Sequence, residues 1–253
     1  APDFFGRAAL VEGLLTRMSD SDEAGRFLVI SGPSGSGKSS AVYAGLIPAL
    51  NEFGFVVLGP TRLGLDVLAG KVRGTTRFEN SLLASLPGAS YTHFPDVFRA
   101  SGSGGSTEQC LIIDALEELF TIDPGDRAAK ADFMERLGQQ LEDRSRFALL
   151  VIREDFLASL DPYTEHVPTE LLSRMRLDLL TPHAAVEAVR RPAASAGWPF
   201  EKGVAEALVD DLRTVRVNRP DGDREELGPV VEPVQLQVVC RQLWAGLNEA
   251  KAR

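Results

Sequence analysis

The residues GPSGSGKSS at positions 32–40 match the pattern G-x-x-x-x-G-K-[ST], with Gly32, Gly37, Lys38 and Ser39 in its fixed positions. Glycines allow a loop to aim several backbone N–H groups at a phosphate chain. A lysine adds a mobile positive charge near the β- and γ-phosphates, and a serine hydroxyl supplies a ligand for Mg²⁺. The stretch therefore predicts a phosphate-binding loop, whose remaining residues are Pro33, Ser34, Gly35 and Ser36.

A carboxylate supports this interpretation. Asp114 ends the apolar run at residues 110–113, which is typical of a buried strand. In P-loop proteins an aspartate at this position holds the Mg²⁺ ion, so Asp114 and Ser39 are the predicted metal-binding residues. The alternative is that Asp114 caps the helix that follows it.

Hydrolysis also needs a group that orients the attacking water. Many P-loop ATPases place a carboxylate directly after the metal-binding aspartate, but here Ala115 occupies that position. Glu117 and Glu118 follow within one turn and are the candidate catalytic carboxylates if the chain turns tightly after Asp114. Otherwise both are solvated charges on a helix.

Arg153 follows the apolar run at residues 147–152, so we expect it at the carboxyl edge of a parallel sheet, where ligands bind. It is a candidate reader of the γ-phosphate. An ion pair with Glu154 or Asp155 explains its position equally well.

These candidates lie in a pattern of alternating strands and helices. Strands are predicted at residues 27–31, 53–60, 109–113, 146–152 and 175–182, and helices at residues 40–50 and 126–143. After Thr181 and Pro182, a typical helix start, helices alone are predicted, at residues 183–191, 201–217 and 233–250. The expected fold is an α/β P-loop NTPase with a parallel sheet over residues 1–180, followed by a small all-helical lid domain over residues 181–253.

Composition limits the choice of partners. The chain of 253 residues carries a net charge of −9 and contains no dense run of Lys and Arg, so nucleic acid is not expected as the main partner. Its two cysteines show no metal-ligand or disulfide spacing, which favours a reduced, cytoplasmic protein. The abrupt start, APDFFGR, suggests a piece of a longer protein. The segment SGSGGSTE at residues 101–108 is interpreted as a flexible loop, natural or engineered.

Five stretches occur in the order FFGR, GPSGSGKSSAVYAGLIPAL, IIDALEELF, VIREDF and EPVQLQVVCRQLW, over essentially the whole chain. Together they resemble the novel STAND class of signal-transduction NTPases. The resemblance implies a nucleotide switch in which ADP favours a closed resting form, whereas ATP and a signal favour an open, self-associating form. It also implies effector and sensor domains outside this chain and, for bacterial members, antiphage defence. Slow hydrolysis is expected from Ala115 itself, because the water-orienting carboxylate is then poorly placed.

The resemblance also implies roles for individual residues. The Walker A cradle is matched by Gly35, Gly37, Lys38, Ser39 and Ser40, and the Walker B aspartate by Asp114. The sensor arginine is matched by Arg153. An N-terminal motif near the base is matched by Phe5, Gly6 and Arg7, and the proline of a G-x-P motif on the adenine side by Pro233. The sequence departs from the family's pattern at three places. Ala8 and Ala9 stand where an acidic residue is usual, Glu232-Pro233 lacks the preceding glycine, and Ala115 follows Asp114 in place of a carboxylate.

Two other functions remain open. An AAA+ ring motor would share the loop and Asp114 but would turn over rapidly, with an arginine finger such as Arg174, Arg176, Arg190 or Arg191. A nucleotide-binding assembly scaffold would lack meaningful catalysis. No LSGGQ-like transporter signature and no guanine-specific N-K-x-D occurs in the sequence.

Overall fold

The computed structural model describes residues 8–19, 26–65, 76–86, 93–100, 107–218 and 222–251. These residues form two compact units. The sheet unit comprises Ala9–Pro33 and Lys38–Leu177, and the helical unit comprises Asp178 onward together with Ser34–Gly37 of the phosphate-binding loop.

A parallel sheet forms the centre of the sheet unit. Its described strands are β1 (Phe27–Gly32), β2 (Val56–Thr61), β3 (Gln109–Ile113), β4 (Arg146–Arg153) and β5 (Arg174–Arg176), in the order β2-β3-β4-β1-β5. All four neighbouring pairs are parallel. The predicted α/β P-loop architecture is therefore confirmed.

The register of the sheet determines where the site lies. Gly32 at the end of β1 pairs with Arg153 at the end of β4, and the end of β3 precedes Asp114. Every residue of β1 and β3 is buried, as expected for parallel strands that helices cover on both faces. The phosphate-binding loop, Asp114 and Arg153 thus follow three adjacent strands at one edge of the sheet.

Helices flank these strands. The described helices of the sheet unit are α1 (Ala8–Ser19), α2 (Lys38–Ser40), α3 (Ile47–Glu52), α4 (Arg77–Ser85), α5 (Phe94–Ala100), α6 (Glu118–Thr121) and α7 (Arg127–Gln140). A π-helical stretch, Ala41–Leu46, joins α2 to α3, and 3-10 stretches at Glu154–His166 and Pro168–Leu171 follow β4. The rings of Phe78 and Phe94 each lie 6.2 Å from that of Phe133, so α4, α5 and α7 share one aromatic core.

The helical unit contains α8 (Pro182–Ser195), α9 (Val204–Leu212) and α10 (Pro233–Lys251). Helix α8 begins as its sequence predicts, because the Thr181 side chain accepts a hydrogen bond from the Ala184 backbone N–H. The core of the helical unit contains small and branched residues, among them Ala185, Val189, Ala205, Val209 and Leu236. No helix within the described ranges is long and apolar enough to cross a membrane.

An antiparallel hairpin of β6 (Thr214–Val217) and β7 (Arg224–Leu227) lies between α9 and α10. The prediction of one helix over residues 201–217 is wrong at its end, and the loop predicted at residues 218–229 contains a strand. The backbone N–H of Gly228 donates to the Arg213 carbonyl at 2.7 Å, and the Arg213 guanidinium donates to the Gly228 carbonyl at 2.8 Å. This closure over a long sequence separation ends the helix before Val215.

Candidate functional site

The phosphate-binding loop runs from the end of β1 at Gly32 to the start of α2 at Lys38. Gly35 and Gly37 have φ angles of 76° and 88°, in the left-handed region that side chains with a Cβ atom rarely adopt. These dihedrals are the physical reason for glycine at both positions. Of the loop serines, Ser36 is buried, whereas Ser34, Ser39 and Ser40 are exposed.

The Lys38 ammonium is hydrogen-bonded to the loop itself. Its Nζ donates to the carbonyl oxygens of Gly32 at 2.9 Å and Pro33 at 2.8 Å. Burial lowers the pKa of Lys38 below its usual 10.5, with a further lowering from Arg153, while the charges of Glu117 and Asp114 oppose the shift. Lys38 is therefore electrostatically coupled to the acidic and basic candidates of the site.

Asp114 and Ser39 lie together as a metal site requires. Ser39 Oγ donates to Asp114 Oδ1 at 3.0 Å, and the Ala115 backbone N–H donates to the same oxygen at 3.1 Å. Asp114 is only 2% exposed, and its Oδ2 atom has no hydrogen-bond partner among the described residues. A buried carboxylate oxygen without a partner is costly, so this pair fits a Mg²⁺ ion well.

The alternative role of Asp114 as a helix cap does not match its contacts. Helix α6 begins at Glu118, and no side-chain hydrogen bond caps it. Asp114 is held instead from the neighbouring strand, because its backbone N–H donates to the Thr61 carbonyl at 2.9 Å. Thr61 ends β2, is fully buried, and donates its hydroxyl to the Ile112 carbonyl at 3.0 Å. Sequence reasoning missed this positioning residue, since its partners lie far away in the chain.

The chain turns sharply after Asp114, because Ala115 has a φ of 61°. Glu117 and Glu118 follow in helical conformation, and consecutive residues of a helix do not share a face. Glu117 Oε2 accepts a hydrogen bond from the Arg153 backbone N–H at 3.2 Å, so its carboxylate lies at the ends of β3 and β4. Glu118 Oε2 accepts from the Leu63 backbone N–H at 3.0 Å and therefore holds the loop after β2.

Arg153 forms an ion pair with Asp155, one of the two acidic partners that the sequence offers. Its Nη2 lies 2.6 Å from Asp155 Oδ2, and its Nε donates to Asp155 Oδ1 at 3.1 Å. The guanidinium carbon also lies 5.3 Å from the centre of the Phe156 ring. Arg153 is thus at the expected edge of the sheet, with its side chain on Asp155.

Of the remaining predicted nucleotide-binding residues, the structure describes Pro233. Phe5 and Arg7 lie outside the described residues. Pro233 is the first residue of α10 in the helical unit. Within that unit, a Cβ atom placed on Gly37 would lie 3.8 Å from the Cβ and Cγ atoms of Pro233, so the proline packs directly on the tip of the loop.

All four arginines considered as fingers have acidic partners within the chain. The pairs are Arg174–Asp161 at 3.8 Å, Arg176–Glu154 at 2.8 Å, Arg190–Glu206 at 3.4 Å and Arg191–Glu187 at 2.6 Å. Each of these guanidinium groups is partly exposed, so the pairs are weak.

The family model described as novel STAND NTPase 1 matches residues 1–245. No curated protein matches the chain in sequence.

Among solved structures, the chain resembles the Walker-type ATPase PABY2304 of Pyrococcus abyssi, with a TM-score of 0.55 and 12% identity, over 83% of this chain and 63% of that one. The RuvB Holliday junction branch migration motor of Thermotoga maritima matches with a TM-score of 0.46 and 16% identity, over 83% of this chain and 58% of that one. The chain spans less than two thirds of either structure. At such low identity the first match supports the fold alone.

Proposed function

Because the chain belongs to the novel STAND NTPases, we propose that it binds ATP and ADP with Mg²⁺ and acts as a slowly hydrolysing conformational switch. One observation carries this proposal most directly. The buried Asp114 carboxylate contacts the Ser39 hydroxyl and leaves one oxygen without a partner in the described part of the chain. A metal-bound nucleotide would satisfy that oxygen.

In this proposal, the backbone of the phosphate-binding loop surrounds the phosphate chain, and Lys38 exchanges its carbonyl partners for phosphate oxygens. Ser39 and Asp114 would hold Mg²⁺ directly or through water. When bound, the ion neutralises charge that develops on the transferred phosphoryl group. Arg153 would read the γ-phosphate, and Pro233 would contribute to the base side.

Slow hydrolysis is expected from the position of the water-orienting group. Ala115 carries no carboxylate, so Glu117 is the nearest described carboxylate that could face the γ-phosphate. In the structure Glu117 accepts a hydrogen bond from the Arg153 backbone, and it must share that contact with any bound water. Since P-loop catalysis is mainly positioning, a partly engaged carboxylate gives low turnover.

Low turnover suits a protein whose output is a change of conformation. We propose that ATP and ADP stabilise different arrangements of the segments at residues 1–180 and 181–253, because only a difference in binding energy can bias two states. Cytoplasmic signalling, including antiphage defence, self-association on activation, and effector and sensor domains outside this sequence belong to the same proposal and rest on the family. A ring motor would require one of the four candidate finger arginines to leave its weak ion pair within the chain.

Calorimetric titration with ATP, with and without Mg²⁺, tests nucleotide binding. Lys38→Ala is expected to abolish tight binding, whereas Lys202→Ala, at an exposed position in the helical unit, leaves it unchanged. Asp114→Asn is expected to remove the Mg²⁺ dependence, with Asp211→Asn as the matched exposed control. Unchanged affinity in Lys38→Ala would refute the assignment of the phosphate-binding loop.

A further inference from the structure

Within the described residues, the two basic side chains predicted for the site, Lys38 and Arg153, both contact groups of the protein itself. Lys38 donates to the carbonyls of Gly32 and Pro33. Arg153 forms a two-point contact with Asp155, at 2.6 Å through Nη2 and 3.1 Å through Nε. A two-point contact between a guanidinium and a carboxylate matches the geometry with which arginine binds a phosphate.

Asp155 therefore occupies the Nε–Nη2 side of Arg153, one of the two sides on which a guanidinium can bind a phosphate through two donors. Arg153 also lies close enough to Lys38 for its charge to lower the pKa of that lysine. The Glu117 carboxylate accepts from the Arg153 backbone N–H, so the side chain starts from a fixed point at this edge of the sheet.

We propose that Asp155 competes with the γ-phosphate of ATP for the Arg153 guanidinium and thereby sets how strongly the site prefers ATP over ADP. The inference rests on the function proposed above. ADP lacks the γ-phosphate, so it leaves the Arg153–Asp155 pair intact. ATP must either displace Asp155 from the Nε and Nη2 donors or bind the guanidinium beside that negative charge, and Asp155 lowers its affinity in both cases. Asp155 is thus a specificity-determining residue that acts through Arg153.

The neighbouring carboxylate does not serve this purpose. Glu154 Oε2 accepts from Arg176 Nε at 2.8 Å, so its charge is directed to a different strand. Asp155 is 52% exposed and Arg153 is 42% exposed, which makes their contact weak enough for a phosphate to displace. The pair holds Arg153 away from nucleotide without locking it.

The expected size of the effect follows from this exposure. Exposed ion pairs correspond to changes of up to about fivefold in an equilibrium constant. Asp155→Asn should therefore raise the affinity for ATP by about threefold to fivefold and change the affinity for ADP by less than about twofold. The ratio of the two affinities is the informative quantity, because a general change in charge would act on both nucleotides.

The test is a competition titration of ATP and ADP, each with Mg²⁺, against a fluorescent nucleotide on the full chain. Asp161→Asn is the matched control, since it removes the carboxylate of another exposed ion pair, with Arg174 at 3.8 Å, and should leave the ratio unchanged. Asp155→Glu keeps the carboxylate and should retain the wild-type ratio. In the double variant Arg153→Ala with Asp155→Asn, the gain in ATP affinity should disappear.

An unchanged ATP-to-ADP ratio in Asp155→Asn, or an equal gain for both nucleotides, would overturn this inference while leaving the proposed function intact. Asp155→Ala serves as a second removal of the carboxylate and should give the same gain. A wild-type protein that binds neither nucleotide would instead refute the proposed function, and with it the role of Asp155.

Discussion

Glu117 and Glu118 are adjacent, yet the structure gives them different tasks. Glu117 lies at the carboxyl ends of β3 and β4, and its charge opposes the lowering of the pKa of Lys38. Glu118 holds the backbone of Leu63 at 3.0 Å. We therefore expect Glu117→Gln to slow hydrolysis strongly and Glu118→Gln to leave it nearly unchanged.

The size of each effect can be worked out from these contacts. A carboxylate that orients or deprotonates the attacking water contributes about 10²- to 10⁴-fold, so Glu117→Gln should slow the chemical step at least about 100-fold. In Glu118→Gln the amide oxygen still accepts from Leu63. The lost attraction to the half-exposed Arg62, 3.9 Å away, is worth less than about 1 kcal/mol.

Glu118→Ala separates the structural task from catalysis. Leu63 is fully buried, so removal of its acceptor leaves a buried backbone N–H unsatisfied, at a cost of about 1–3 kcal/mol. For a domain of this size that corresponds to a fall of several degrees in the melting temperature.

Single-turnover hydrolysis with enzyme in excess, together with thermal unfolding of each variant, measures both effects. The assignment would be refuted if Glu118→Gln slowed hydrolysis as much as Glu117→Gln. It would also be refuted if Glu117→Gln hydrolysed ATP at the wild-type rate, since another group would then orient the water.

Two further predictions concern Lys38 and a glycine of α7. Burial lowers the pKa of Lys38, so ATP affinity should fall as the pH rises through that lowered pKa. The residual weak affinity of Lys38→Ala should not change over the same range, and an equal proportional fall in that variant would rule Lys38 out as the cause. A Cβ atom on Gly138 would lie only 2.0 Å from the His166 carbonyl oxygen, so Gly138→Ala should destabilise the fold by more than about 3 kcal/mol in denaturant unfolding, whereas Gly125→Ala, with nothing within 4 Å, should be close to neutral.

Much of the fold can be predicted from the sequence because buried parallel strands are continuous apolar runs. The runs before the phosphate-binding loop, before Asp114 and before Arg153 each become a strand of the confirmed sheet. The hairpin could not be predicted in the same way. Val215 continues the helical spacing of Leu208 and Leu212, and only the distant contact with Gly228 shows that the helix has ended.

The sequence predicts which residues belong to the candidate site better than it predicts the directions of their side chains. The left-handed conformation of Ala115, which turns the chain after Asp114, is revealed by no periodic pattern. The sequence offers Glu154 and Asp155 equally as partners of Arg153. The structure pairs Arg153 with Asp155 and Glu154 with Arg176, which only the side-chain geometry shows. Pattern identifies which residues reach the edge of the sheet, whereas contacts with distant residues determine where they point.

The nucleotide carried by the freshly purified protein, and the rate at which it exchanges, tests the central claim most directly. A slow switch at residues 32–40 predicts that the wild-type protein carries bound ADP and releases it slowly. Lys38→Ala should release ADP more quickly. A site that is empty after purification and hydrolyses ATP in rapid multiple turnover would contradict the switch and favour a motor.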